Sequence, residues 1–133
     1  MSGPMMLTIG TIAMTWDEEV RLASIRFTGA TDATGEDAGR LVQALSRWIG
    51  GESKPFGLLG DGAGLRSVDA QYRSLWGAFL RRHRSEVYAA FFNMSAMVRV
   101  AAEMFGLGAG LRLRTFGGEA EARAWLRKAG IPA

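Results

Sequence analysis

Side chains able to do chemistry are concentrated in one stretch of this 133-residue chain, "LLGDGAGLRSVDAQYRS" at positions 58–74. Asp61 ends an apolar run, Gly60, Gly62 and Gly64 alternate, and Ser67 and Asp69 stand where a helical pattern begins. Three chemistries suit these residue types. Backbone amides of a glycine-rich turn ahead of a helix can hold a phosphate. Two carboxylates at the carboxyl end of a parallel strand can exchange protons or bind magnesium. A serine can act as a nucleophile if a base reaches it.

The spacing weighs against each. "GDGAGLRS" lacks the Gly-Lys-Ser/Thr ending of a Walker A loop and is out of frame for GxGxxG, and Asp61 would repel a phosphate. The plainer reading is a strand-to-helix turn whose glycines supply positive φ. Asp61 and Asp69 have no third ligand or nucleophile beside them, and Asp69 equally suits the first turn of a helix, where a carboxylate favours the positive end. His83, the single histidine, falls on the same predicted helix as Ser67, roughly 24 Å along it at about 1.5 Å per residue, so the two form no dyad. Ser67 has the simpler role of a helix cap. With no cysteine and one histidine, thiol chemistry, disulfides and multi-histidine metal sites are excluded. No catalytic residue, metal or cofactor is expected, and the chain reads as a non-enzyme.

The methionines raise a different possibility. Met5, Met6 and Met14 lie on the first predicted strand, and Met94, Met97 and Met104 lie on or near the third helix. Methionine fills cores, and it also recurs on apolar faces that take a protein partner, a second copy or a lipid. A second copy would associate through the first strand, the natural place as a sheet edge, or through the third helix.

The elements that position these residues follow from periodicity. Residues 5–15 and 19–28 read as two strands joined in an antiparallel hairpin. "TGATDATGED" is turn chemistry, and Thr34 is an N-cap for a helix bearing Ala38, Leu41, Val42, Leu45, Trp48 and Ile49. Gly50-Gly51 stop it. Residues 55–60 are a short buried strand. Val68, Tyr72, Leu75, Trp76, Phe79 and Leu80 form the apolar stripe of a second helix, and residues 86–92 make another buried strand. Ser95 caps a third helix to about Leu107 that carries Met97, Val98, Ala101, Met104 and Phe105. "LRLRTF" at 111–116 alternates arginines, as a half-exposed edge strand does. The last helix presents Ala122, Trp125, Leu126 and Ala129. The order is β-β-α-β-α-β-α-β-α, an α/β single domain over 1–133, with its core at about 5–131 and a mixed, mostly parallel sheet.

Composition sets the remaining bounds. With 48% hydrophobic and 22% charged residues the chain is an ordinary globular one. No apolar run reaches the roughly 18 residues of a membrane span. "MSGPMMLTIG" has no basic segment ahead of its apolar stretch, so no signal peptide is expected and the cytoplasm is the expected compartment. The net charge of +3 comes from scattered arginines. The one dense cluster, "RRHR" at 81–84, sits at a helix end where cations complement the dipole, and nucleic acid is not an expected partner.

Four segments together resemble the STAS-like superfamily, specifically its SpoIIAA-like group, whose annotation overlaps with Sec14-like domains. They are "VRLASIRFTG", "PFGLLGDGAGLRSVDAQYRSLW", "RRHRSEVYAAFFNMSAMVRVAAEMFGL" and "FGGEAEARAWLRKAGI", covering roughly residues 15–131. The resemblance implies a small α/β regulator without enzyme activity. Anti-sigma-factor antagonists of this kind exchange protein partners when a serine at the start of the second helix is phosphorylated, in the pattern Asp-Ser-Ser/Thr-Gly. Asp69 falls on the aspartate of that pattern, Ala70 on the phosphorylated serine and Gln71 on the next hydroxyl residue. Alanine cannot carry a phosphate, so the switch residue is absent. The implied recognition surface comprises Asp61, Gly62, Gly64, Arg66, Ser67, Asp69, Ala70 and Arg73. Two functions stay open: a protein-interaction regulator or scaffold component, and a small-ligand or lipid-binding module using the methionine-rich segments.

Overall fold

The computed structural model describes residues 5–51 and 53–133, apart from the side chains of Ala101 and Phe105. Those two residues, expected on the apolar face of the third helix, have side chains outside the described residues, as do the first four residues of "MSGPMMLTIG".

The N-terminal apolar run is two strands rather than one. β1 (Met5–Ile9) and β2 (Ile12–Asp17) pair antiparallel, with Ile9 opposite Ile12. The two-residue turn between them puts Gly10 at φ 57°, the positive φ that a tight hairpin demands of its first central residue. β2 then pairs antiparallel with β3 (Leu22–Phe27). The turn-like segment that follows contains a short strand, β4 (Thr31–Ala33), before α1 (Gly35–Ile49). Thr34 caps α1, accepting from the Asp37 amide while the Asp37 carboxylate takes the Thr34 N–H.

β5 (Phe56–Asp61) is buried almost throughout. The segment after it is not only a loop, because residues 65–68 form β6 (Leu65–Val68), paired parallel with β4 in a separate two-stranded sheet. α2 (Ala70–Arg82), β7 (Val87–Phe92), α3 (Ala96–Ala109), β8 (Leu113–Phe116) and α4 (Glu119–Lys128) complete the chain. Ser95 caps α3 as expected, accepting from the Val98 amide.

The main sheet has the order β1-β2-β3-β5-β7-β8. Its β3–β5, β5–β7 and β7–β8 pairs are parallel, so the sheet is mixed and mostly parallel, with β1 and β8 at its edges. One face carries α1 and α2 over Ile12, Met14, Trp16, Ile25, Phe56 and Leu58. α3 lies on the same face near β8, where a Cβ on Gly106 would sit 3.1 Å from Leu113. α4 covers the other face, packing Ala122 and Leu126 against Leu22, Leu59, Ala90 and Phe92. Met14, expected on an apolar interaction face, is fully buried in the core: residues 12, 14 and 16 share the covered side of β2.

Candidate functional site at the β5–α2 junction

The three alternating glycines answer to close approach. A Cβ on Gly60 would enter the Phe91 ring of the neighbouring strand. At Gly62 it would lie 2.7 Å from the Met94 side chain and 3.0 Å from the Met94 Cα. Gly64 has φ +87°, and a Cβ there would stand 2.8 Å from the Phe27 carbonyl oxygen and 2.9 Å from that of Gly29. Only glycine fits such a site.

Three amides of the turn are engaged within the chain. Gly62 N–H donates to the Phe92 carbonyl (2.7 Å), Leu65 N–H to the Gly62 carbonyl (3.0 Å) and Ala63 N–H to Asp61 Oδ1 (2.9 Å). Asp61 also accepts from Asn93 Nδ2 at 3.2 Å. A phosphate cradle needs free amides converging on an anion; here a carboxylate already occupies the turn.

Ser67 is a strand residue in β6, not a helix cap. Its hydroxyl donates to Asp32 Oδ1 at 2.6 Å, and Arg66 forks onto the same carboxylate through Nε (3.0 Å) and Nη2. The hydrogen bond from Arg66 first, and that from Ser67 second, hold the Asp32 carboxyl well below the usual carboxylate range. Ser67 and His83 also do not share a helix, since Ser67 precedes α2 and His83 is its C-cap. Burial against Phe79 (4.6 Å between ring centres) and Phe56 (5.9 Å) pulls the His83 pKa down, against the opposing pull of Glu86.

Asp69 is the cap. Its Oδ1 accepts from the Tyr72 amide at 2.7 Å, its Oδ2 accepts from the Gly35 amide at 3.2 Å, and its own N–H donates to the Ala33 carbonyl at 3.0 Å. One carboxylate therefore caps α2 and holds the first residue of α1. Gln71 lies over Gly35 at the same junction. Ala70 is the first residue of α2 and is exposed. Arg73 turns back to donate to the Val68 carbonyl at 3.2 Å. Arg66, Ser67, Asp69, Ala70 and Arg73 thus share an exposed patch, whereas Gly62 is buried against Met94. Sequence reasoning missed Asp32 and Gly35, whose contacts with the patch come from 34 or more residues away.

Between α2 and α3 runs an apolar groove of about 440 Å³, with Leu58, Phe91 and Leu113 on its floor and Trp76, Met94 and Met97 in its walls. Tyr72 also lines it, and burial pushes its phenol up to about 12. Met97 and Met104 belong to an exposed stripe on α3 that includes Val100 and Leu107, each between 55% and 87% exposed. The 3-4-3 spacing of those four residues is visible in the sequence, although only the two methionines drew notice there. Met5 and Met6 are exposed on β1, on opposite faces. Among the described residues no cluster of three metal-ligating side chains occurs, and no helix is long and apolar enough to cross a membrane.

No family model and no curated protein sequence matches the chain. Two solved structures share its architecture. One is a protein of the DUF3478 family with a SpoIIAA-like fold from Shewanella loihica PV-4, at TM-score 0.68 and 16% identity over 95% of this chain and 98% of that one. The other is apo-SiaC from Pseudomonas aeruginosa, at TM-score 0.60 and 14% identity over 86% of this chain and 98% of that one. The fold is SpoIIAA-like.

Proposed function

We propose that this chain is a non-enzymatic protein-interaction regulator or scaffold component of the cytoplasm, whose partner docks on the start of α2 and the adjoining β6. Arg66, Ser67, Asp69, Ala70 and Arg73 form the contact patch, and the turn through Asp61, Gly62 and Gly64 holds it in place. The observation that carries the reading is Ala70: it stands exposed at the head of α2, with no hydroxyl to phosphorylate, among polar side chains tied to their own chain. Such a patch is rigid before it binds, which lowers the ordering cost of association. Its competence does not wait on a phosphate at this position.

The test is capture from the native lysate with wild-type chain and with Ala70→Arg, whose long side chain blocks the patch while leaving the helix intact. A protein retained by wild type and lost at least tenfold by Ala70→Arg supports the reading. Equal recovery by both, or recovery of nothing but the bait, sinks it.

A second reading is favoured by the α2–α3 groove, whose volume and apolar walls fall within the range of small-molecule pockets. Native mass spectrometry of freshly purified protein would then show a retained apolar ligand; a clean protein mass, with no thermal stabilisation by fatty acids, rejects it.

A further inference from the structure

The two edges of the main sheet are built differently. β8 carries Arg114 on an exposed position, Arg112 just before it is anchored to the Tyr88 hydroxyl at 2.6 Å, and α3 packs beside it. Charge and cover of this kind keep an edge from pairing. β1 reads Met-Met-Leu-Thr-Ile, with no charge, no proline and an unbroken register to β2.

The register shows which of its backbone groups are free. Thr28 N–H donates to the Thr11 carbonyl at 2.8 Å, so residues 11, 13 and 15 turn their polar groups toward β3. Residues 12, 14 and 16 therefore turn theirs toward β1, where their partners are Ile9, Leu7 and Met5. The N–H and C=O groups of Met6 and Thr8 point outward from the edge.

We propose that this edge is a self-pairing surface, on which a second copy of the chain adds β1 to β1 antiparallel across a two-fold axis. Two outward residues spaced by one are self-complementary under that rotation. Met6 faces Thr8 of the second copy and exchanges both hydrogen bonds with it, and Thr8 faces Met6 of the second copy likewise. All four outward groups on each chain are satisfied. The axis passes beside Leu7, which meets its own copy in a non-hydrogen-bonded pair with Cα atoms about 4.5 Å apart. Met5, Leu7 and Ile9 share the face of the buried Met14 and Trp16, so the pairing joins two apolar rows, and it covers Met6, now 64% exposed. The contact is isologous and closes at two copies. It is independent of the patch at Ala70.

The chain has no cysteine, which makes cross-linking clean. Under mild oxidation Leu7→Cys is expected to convert to a disulfide dimer, because its Cα separation falls in the range of about 4.4–6.8 Å that a disulfide spans. Met5→Cys is expected to stay monomeric on the same gel, its two copies lying about 13 Å apart along the strands. Wild type is expected at twice the monomer mass in light scattering. Thr8→Pro, which removes an outward N–H and no bond to β2, and Met6→Lys are each expected to run as monomers with unchanged circular dichroism; the second guards against misfolding of the first. Met104→Glu, on the exposed stripe of α3, is expected to remain dimeric. A monomeric wild type up to its solubility limit, equal cross-linking of Leu7→Cys and Met5→Cys, or dissociation by Met104→Glu overturns the proposal.

Discussion

Replacing Asp69 by alanine separates structure from chemistry at the junction. The carboxylate makes two bonds that alanine cannot, one to the Tyr72 amide at 2.7 Å and one to the Gly35 amide at 3.2 Å. Loss of an N-cap costs about 0.5–2 kcal/mol. Gly35 is buried, and stranding its N–H adds a loss of about 1–2 kcal/mol. The sum is about 1.5–4 kcal/mol, or about 5–14 °C in Tm for a domain of this size. Urea unfolding followed by far-UV circular dichroism gives the difference directly from the midpoint. Asp69→Asn keeps a carbonyl oxygen for Tyr72, but its amide nitrogen cannot accept from Gly35, so it is expected to lose only the second share, about 1–2 kcal/mol. The reasoning is refuted if Asp69→Ala lies within about 0.5 kcal/mol of wild type, the range of an uninvolved surface change. It is also refuted if Asn costs as much as Ala, since the cap to Tyr72 would then carry nothing.

Two further outcomes follow from the same geometry. Gly64→Ala forces a Cβ against the Phe27 and Gly29 carbonyl oxygens at positive φ, and is expected to cost more than about 2 kcal/mol by the same urea assay; a neutral variant would show that the turn relaxes freely. His83 has a folded-state pKa below its ordinary value through burial, so the unfolded chain takes up its proton first and stability falls as pH drops below about 6.5. Wild type is therefore expected to lose more Tm between pH 7.5 and 5.5 than His83→Gln, and parallel Tm profiles would remove His83 as the cause.

How far the sequence could be read varied with the range of the interactions. Helix starts at Thr34 and Ser95 were legible because each cap reaches an amide three residues on. Order and type of the longer elements were legible from apolar periodicity. The break at Gly10-Thr11 was not, because apolar residues run on through both strands and the only local sign is one glycine. β4 and β6 escaped notice because strands of three and four residues carry almost no periodic signal, and each exists only by pairing with the other. Ser67 reads as the cap and Asp69 as a first-turn carboxylate; β6 takes Ser67 into a strand and leaves Asp69 to cap.

By itself the sequence determined what is local: the caps at Thr34 and Ser95, the helix stop at Gly50, the alternation of buried strands, and the absence of a hydroxyl at Ala70. Those depend on backbone dihedrals and neighbours within a turn. The tertiary structure alone decided what the stretch 58–74 is. Whether Gly62 and Ala63 amides meet an anion or a carbonyl depends on β7 and on Asp61 folding back. Whether Asp69 is free or bridges two helices depends on α1 arriving from 34 residues earlier. Burial likewise sorted the methionines, hiding Met14 under α1 and leaving Met6, Met97 and Met104 exposed. A hydrogen-bond donor or an apolar side chain has no fixed role until the chain supplies or withholds its partner, and that is a property of topology.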